Sequence, residues 1–116
     1  MLKTAGELIK EAQRHIDCID AASAKKLYDE DKDAVIVDVR EADSVNQSKL
    51  TDSIHISRGL IEMQLPKQCP NPGTLIMTHC AGGGRASLTA HTLKQMGYEQ
   101  VYAITATFEE IKKVFG

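Results

Sequence analysis

The sequence predicts an α/β fold: a small domain built on a parallel sheet with helices on both faces. Three observations carry this. Segments with helical spacing alternate along the chain with short apolar runs. Two of those runs, residues 34–39 (AVIVDV) and 74–79 (TLIMTH), are near-continuous rather than alternating, which suits strands buried on both faces. Finally, 116 residues with 42% hydrophobic and 26% charged side chains are enough for one core and too few for two.

Residues 2–15 place Leu2, Ala5, Leu8, Ile9 and Ala12 at helical spacing, with Lys3, Glu7, Lys10, Glu11 and Arg14 between them. This is an amphipathic helix whose apolar stripe packs on the domain. Cys18 and Ile19 make a very short strand. Asp20 is placed to cap a helix over 21–29 that turns Leu27 and Tyr28 inward. The 34–39 run is the first long strand, and 53–56 a weaker one. Residues 58–65 form a short helix expected to stop before Pro66, and 67–73 a loop. After the 74–79 strand comes a glycine-rich turn. A helix over 85–96 is closed by Gly97. A last strand, 101–104, precedes a helix over 107–115. Met63, Met77 and Met96 read as core filler. The chain is thus expected to be a single domain over 1–116, an extra N-terminal helix (1–16) on a core (17–116).

Composition excludes several function classes. A net charge of −2 gives no basic surplus for nucleic acid. No apolar run approaches the roughly 20 residues that span a membrane. The opening residues carry charges every few positions, so no export signal is expected and the cytoplasm is the expected location. Three cysteines cannot form a complete set of disulfides. His15, His55 and His91 have no ligand spacing with one another or with the cysteines, so no metal site is expected.

In parallel sheets, ligands bind beyond the carboxyl ends of the strands. Two places qualify: the end of the first long strand, with Asp38, Arg40 and Glu41, and the end of the 74–79 strand, with Cys80. The second is the richer. A strand delivers Cys80 into Ala81-Gly82-Gly83-Gly84-Arg85-Ala86-Ser87, which opens a helix. Consecutive glycines let successive N–H groups converge on one point, and the positive end of the helix dipole faces the same spot. That setting favours the thiolate, the form that attacks. Arg85 adds a permanent charge suited to an anionic substrate. Cys18 reads as a small buried hydrophobe and Cys69 as an incidental exposed thiol. His79 adjoins Cys80 in sequence, but neighbouring strand residues face opposite ways, so it is expected to be packed and hydrogen-bonded rather than aimed at the sulfur.

At these residues the chain resembles the rhodanese family. The resemblance covers 15–116 and rests on the order and spacing of Val37-Asp38-Val39-Arg40-Glu41, His55-Ile56-Ser57-Arg58-Gly59, the 80–87 loop, and Leu93, Met96-Gly97-Tyr98 and Val101-Tyr102. It implies a five-stranded parallel sheet and a ping-pong sulfur transfer. Cys80 would take a sulfane sulfur from a small anionic donor such as thiosulfate and pass it to a thiol or cyanide acceptor. A sulfur-relay protein is a further candidate partner. The N–H groups from Ala81 to Ala86 would hold the persulfide. No cofactor is implied, because sulfur is the carried group. Asp38 would support the fold and Arg40 lie near the pocket. The residues themselves leave two alternatives: a pair framing the pocket mouth, or a helix cap and a solvated charge. Arg58 could likewise add positive potential near Cys80 or be an ordinary helix-start charge, and Arg85 could pair with a carboxylate.

Two departures stand out. The family's Gly-His-Ile before the second strand is replaced by residues within Ser48-Lys49-Leu50-Thr51-Asp52. Its Gly-Gly pair after the last strand is replaced within Ile104-Thr105-Ala106-Thr107-Phe108. Both are expected to leave the cysteine loop untouched while altering substrate choice. They motivate one alternative, a non-catalytic binding or sulfur-relay module. A phosphatase or arsenate reductase is the other. Four residues separate Cys80 from Arg85. Phosphatases of this kind use a loop one residue longer, and the shorter nest fits sulfur better than phosphate.

Overall fold

The computed structural model describes all 116 residues. Its elements are α1 (Ala5–Gln13), β1 (Asp17–Ile19), α2 (Ala21–Glu30), β2 (Val35–Asp38), α3 (Ala42–Gln47), β3 (Ile54–His55), α4 (Ile61–Gln68), β4 (Leu75–His79), α5 (Gly84–Met96), β5 (Gln100–Ile104) and α6 (Phe108–Phe115). A 3₁₀ turn, Arg58–Leu60, leads into α4. The five strands form one parallel sheet in the order β1-β5-β4-β2-β3.

Alternation along the strands divides the core in two. Val37, Val39, Ile76, Val101 and Ala103 pack with Ala86, Ala90 and Leu93 of α5 and with Ile61 and Leu65 of α4. Ile36, Met77 and Ile104 pack on the other face with Ala21 and Ala24 of α2, Ile111 of α6 and Leu50. All five residues of β4 are buried, as a central strand covered on both faces requires. Helix starts are set by side-chain caps. Thr4 and Thr107 form capping boxes with Glu7 and Glu110, and Asp20 accepts from the Ser23 N–H. Helix α1 lies along α5: Gln13 donates to Ser87 Oγ at 3.0 Å, and the His15 and His91 rings stack at 5.1 Å.

Several expectations are corrected. Helix α4 runs through Pro66 to Gln68 instead of stopping before it. The N–H that Pro66 lacks would have met the Glu62 carbonyl. Residues 62–64 are exposed, so that carbonyl can face water, and Cys69 N–H to Leu65 O at 2.7 Å closes the last turn. Helix α3 was not anticipated. Met63 and Met96 are exposed, and of the three methionines expected in the core only Met77 is buried. Helix α4 turns Ile61 and Leu65 inward, which leaves Met63 outside. The cysteine assignments exchange places. Cys18 is exposed on the short edge strand β1, whereas Cys69 is buried where Tyr98 folds over it and donates to the Cys69 carbonyl at 2.6 Å.

The chain leaves β2 toward β3 on one side and β4 toward β5 on the other. A crevice therefore opens between the carboxyl ends of β2 and β4, where such sheets bind ligands. Both sequence-selected segments end there.

Candidate active site

Cys80 follows the last residue of β4 and is 2% exposed. Its Sγ accepts from the Gly83 N–H at 3.1 Å and the Ala86 N–H at 3.4 Å. The N–H groups of Ala81, Gly82, Gly84 and Arg85 meet no protein acceptor, as expected where an α-helix begins. Two loop donors thus meet the sulfur at the positive end of α5, and the other loop N–H groups are free. Gly83 makes the curl. Its φ of 102° lies in the left-handed region, and a Cβ there would sit 3.0 Å from Thr105 Cα. Thr78 Oγ1 donates to the Ala86 carbonyl and Ser87 Oγ to the Gly83 carbonyl, fixing both ends of the turn.

The departure after the last strand does touch this loop, against expectation. Thr105 abuts Gly83, and the Phe108 N–H donates to the Ala81 carbonyl at 3.0 Å. The start of α6 therefore braces the loop from above β5.

Asp38 and Arg40 form a buried ion pair. Arg40 Nε lies 3.0 and 3.1 Å from the two Asp38 oxygens, and Nη2 lies 2.8 Å from Oδ2. Arg40 Nη2 also donates to the Ser48 carbonyl, and the Phe108 ring covers the guanidinium at 3.9 Å. His55 Nε2 meets the Arg40 carbonyl at 2.7 Å, which the Ser57 hydroxyl also approaches. Burial alone would raise the Asp38 carboxyl. Hydrogen bonds and charge from Arg40, with His79 nearby, hold it below the usual carboxylate range instead.

His79 pairs in register with Asp38 and faces away from the Cys80 side of the sheet, among Asp38 and Phe108. It is packed, but neither ring nitrogen has a hydrogen-bond partner, and Nε2 is 3.8 Å from Asp38 Oδ2. The expected hydrogen bonds are absent. Burial lowers the His79 pKa to about 4, although Asp38 opposes this. The unfolded chain takes up a proton near the ordinary 6.5 that the folded protein refuses until about 4. The His79 contribution is expected to be full above pH 6.5 and to be lost as pH drops toward 4, below which protonation of Asp38 continues the loss. At about 1.4 kcal/mol per unit the loss is about 3 kcal/mol. Melting temperatures between pH 7 and 4 check this: His79→Leu should lose clearly less than wild type across that interval, and an equal loss would contradict the assignment.

Arg85 lies in the first turn of α5, and its guanidinium makes no ion pair, so it does not serve a carboxylate. Arg58 is exposed at the 3₁₀ turn. Its N–H donates to the Val39 carbonyl, and its side chain makes no hydrogen bond or ion pair. No cluster of His, Cys, Asp and Glu is placed to hold a metal. No helix is long and apolar enough to cross a membrane.

Sequence reasoning missed Phe108, Thr105 and the part of His55. His55 lies in a segment that carries the resemblance. Thr105 and Phe108 lie in the segment that departs from the family pattern, but their contacts with Gly83 and Arg40 depend on how α6 enters over the sheet. Beside Arg40 and Ala81 opens a cleft of about 650 Å³, lined also by Ser44, Gln47, Ser48, Phe108, Glu109, Lys112 and Lys113.

Comparison with known proteins agrees with this architecture. The chain is 28% identical over 100 residues to a Bacillus subtilis protein described as "Putative sulfur carrier protein YrkF", covering 86% of this chain and 53% of that protein. The chain therefore spans about half the length of this relative. A Rhodopseudomonas palustris protein of unknown function, described as a "Possible Tyrosine Phosphatase", superposes with a TM-score of 0.84 at 27% identity, over 100% of this chain and 94% of that one. The polysulfide-sulfur transferase of Wolinella succinogenes superposes with a TM-score of 0.74 at 25% identity, over 89% of this chain and 77% of that one. The profile of the rhodanese-like domain matches residues 20–113. With its five-stranded parallel sheet and its sulfurtransferase relative, the chain belongs to the rhodanese-like domain family.

Proposed function

We propose that the protein is a sulfurtransferase in which Cys80 carries the sulfur, with residues 1–116 acting as one domain. One observation carries the reading: Cys80 Sγ accepts from two loop N–H groups at the start of α5, while four more in the same loop have no partner. In the first half-reaction the Cys80 thiolate attacks the outer sulfur of thiosulfate. A Cys80 Sγ–S bond forms, the S–S bond of thiosulfate breaks, and sulfite leaves with the electron pair. The outer sulfur, now a persulfide, takes the donors of Ala81, Gly82, Gly84 and Arg85 that Sγ does not use. In the second half-reaction a thiolate or cyanide attacks that outer sulfur, and the electron pair returns to Sγ.

Arg85 supplies a free positive charge at the loop and Arg58 adds potential that draws in a dianion, whereas the Arg40 charge is compensated by Asp38. Support for sulfur over phosphate comes from the tight loop, which closes on Sγ with only four residues between Cys80 and Arg85. The sulfur-transfer and sulfur-carrier descriptions of two relatives point the same way. Free cysteines suit a reducing cytoplasm.

Intact mass after thiosulfate treatment tests the reading. Wild type should gain about 32 Da, one sulfur, and Cys80→Ser none. A chromogenic phosphate ester should not be turned over; steady turnover lost in Cys80→Ser would replace this reading with a phosphatase.

A further inference from the structure

We infer that Gln13 of α1 is a positioning residue for sulfur loading: through Ser87 it aims the Gly84 N–H at the outer sulfur of the Cys80 persulfide. This rests on the sulfurtransferase reading above. It adds to that site a residue from a helix that lies before residue 20, where the family profile begins.

Three contacts lay α1 and the residues after it along α5, in the same direction. Ile9 meets Gly84, Gln13 meets Ser87 and His15 meets His91. Ile9 and Gln13 share one face of α1, as residues four apart do, and that face covers the first turn of α5. Ile9 Cδ1 is so close that a Cβ added to Gly84 would lie 2.8 Å from it. The same turn carries the donors of the cysteine loop.

Hydrogen bonds run from α1 into the loop in a fixed sense. Ser87 is fully buried, and its hydroxyl has one proton to give. That proton goes to the Gly83 carbonyl at 2.7 Å, so the oxygen can only accept from Gln13. Gln13 Nε2 donates to it at 3.0 Å. The Ser87 N–H adds a second bond to the Gly83 carbonyl at 2.9 Å.

The peptide plane turns this into aim. The Gly83 carbonyl and the Gly84 N–H belong to one trans peptide, whose C=O and N–H point in opposite directions. Two bonds that draw the carbonyl along α5 toward Ser87 therefore turn the Gly84 N–H outward from the helix start. This N–H has no protein partner, whereas the Gly83 and Ala86 N–H groups already serve Sγ. When the Cys80 thiolate attacks thiosulfate, the Sγ–S bond forms, the S–S bond of thiosulfate breaks, and sulfite leaves with the electron pair. The sulfur left at the end of the persulfide carries the negative charge, and the Gly84 N–H acts there. Gln13 thus bears on the sulfur that arrives, while the waiting thiolate keeps its own two donors.

Gln13→Glu tests this, because it keeps the shape and exchanges the donor for an acceptor. The Ser87 proton turns to the new carboxylate, and the Gly83 carbonyl loses its shorter bond. Loading by thiosulfate, followed by intact mass, should slow about fivefold, the size of one net hydrogen bond. Alkylation by neutral iodoacetamide, read on the Cys80 peptide, needs no donor for an outer sulfur and should stay within about twofold of wild type. The same substitution made in Ser87→Ala should slow loading by less than about twofold, since the link to Gly83 is already gone. An unchanged loading rate in Gln13→Glu would overturn the inference. Loading and alkylation that fall together would also overturn it, as the mark of a loosened loop. An equal effect in Ser87→Ala would overturn it as well, as the mark of thiosulfate repelled by the added charge. A wild type that takes up no sulfur would overturn the sulfurtransferase reading beneath it, and the inference with it.

Discussion

Gly83→Ala is expected to lose sulfur loading by at least about tenfold, whereas Gly82→Ala should lose far less. At Gly83 the backbone has φ 102°, where an L side chain is strained by roughly 1–2 kcal/mol. The new Cβ would also meet Thr105 Cα at 3.0 Å, and that atom belongs to the backbone and cannot swing aside. Relief requires the loop to move, which carries the Gly83 N–H away from Cys80 Sγ. About 1.4 kcal/mol of lost stabilisation at the sulfur is a factor of ten in rate. A Cβ on Gly82 meets nothing within 4 Å, and Gly82 does not have a positive φ. The rate of thiosulfate loading, followed by mass, compares the two. Equal rates would show that the curl at Gly83 does not aim the donors.

Asp38→Ala is expected to cost about 3–5 kcal/mol of folding stability and to lower the melting temperature by more than about 10 °C at neutral pH. Asp38 is fully buried and receives the Arg40 side chain through both of its oxygens. Removing the carboxylate leaves a buried guanidinium with its charge uncompensated, which is the costly way to break such a pair. The consequences spread, because Arg40 also holds the Ser48 carbonyl and lies under Phe108. Asp38→Asn keeps one acceptor oxygen and should lose less. A melting temperature within about 2 °C of wild type for Asp38→Ala would show that the pair does not secure this end of the sheet.

The sequence was most legible where one local pattern decides the outcome. Residues 34–39 and 74–79 are runs that suit a strand covered on both faces, and β2 and β4 occupy central positions. The Cys80 loop was legible for the same reason, because strand, glycines and helix start are consecutive. Helix α3 was not, since it buries no residue and so has no apolar periodicity to find. Cys18 and Cys69 were misread because burial there depends on tertiary placement: Cys18 falls on an edge strand, and Cys69 lies under a tyrosine from another part of the chain. The cluster of Asp38, Arg40, His79 and Phe108 was legible only in part. Asp38 and His79 meet through the β2–β4 register, and Phe108 arrives with α6, so no short motif records the assembly. The same placement explains why the changed residues after β5 reach the cysteine loop.

The central claim is that Cys80, held by the loop N–H groups, is the atom that carries sulfur. The most direct measurement is intact mass before and after thiosulfate, for wild type and Cys80→Ser side by side. The account predicts one added sulfur, about 32 Da, on wild type and none on Cys80→Ser, although exposed Cys18 remains in both. No adduct on wild type with thiosulfate or polysulfide, or an adduct that survives in Cys80→Ser, would contradict it.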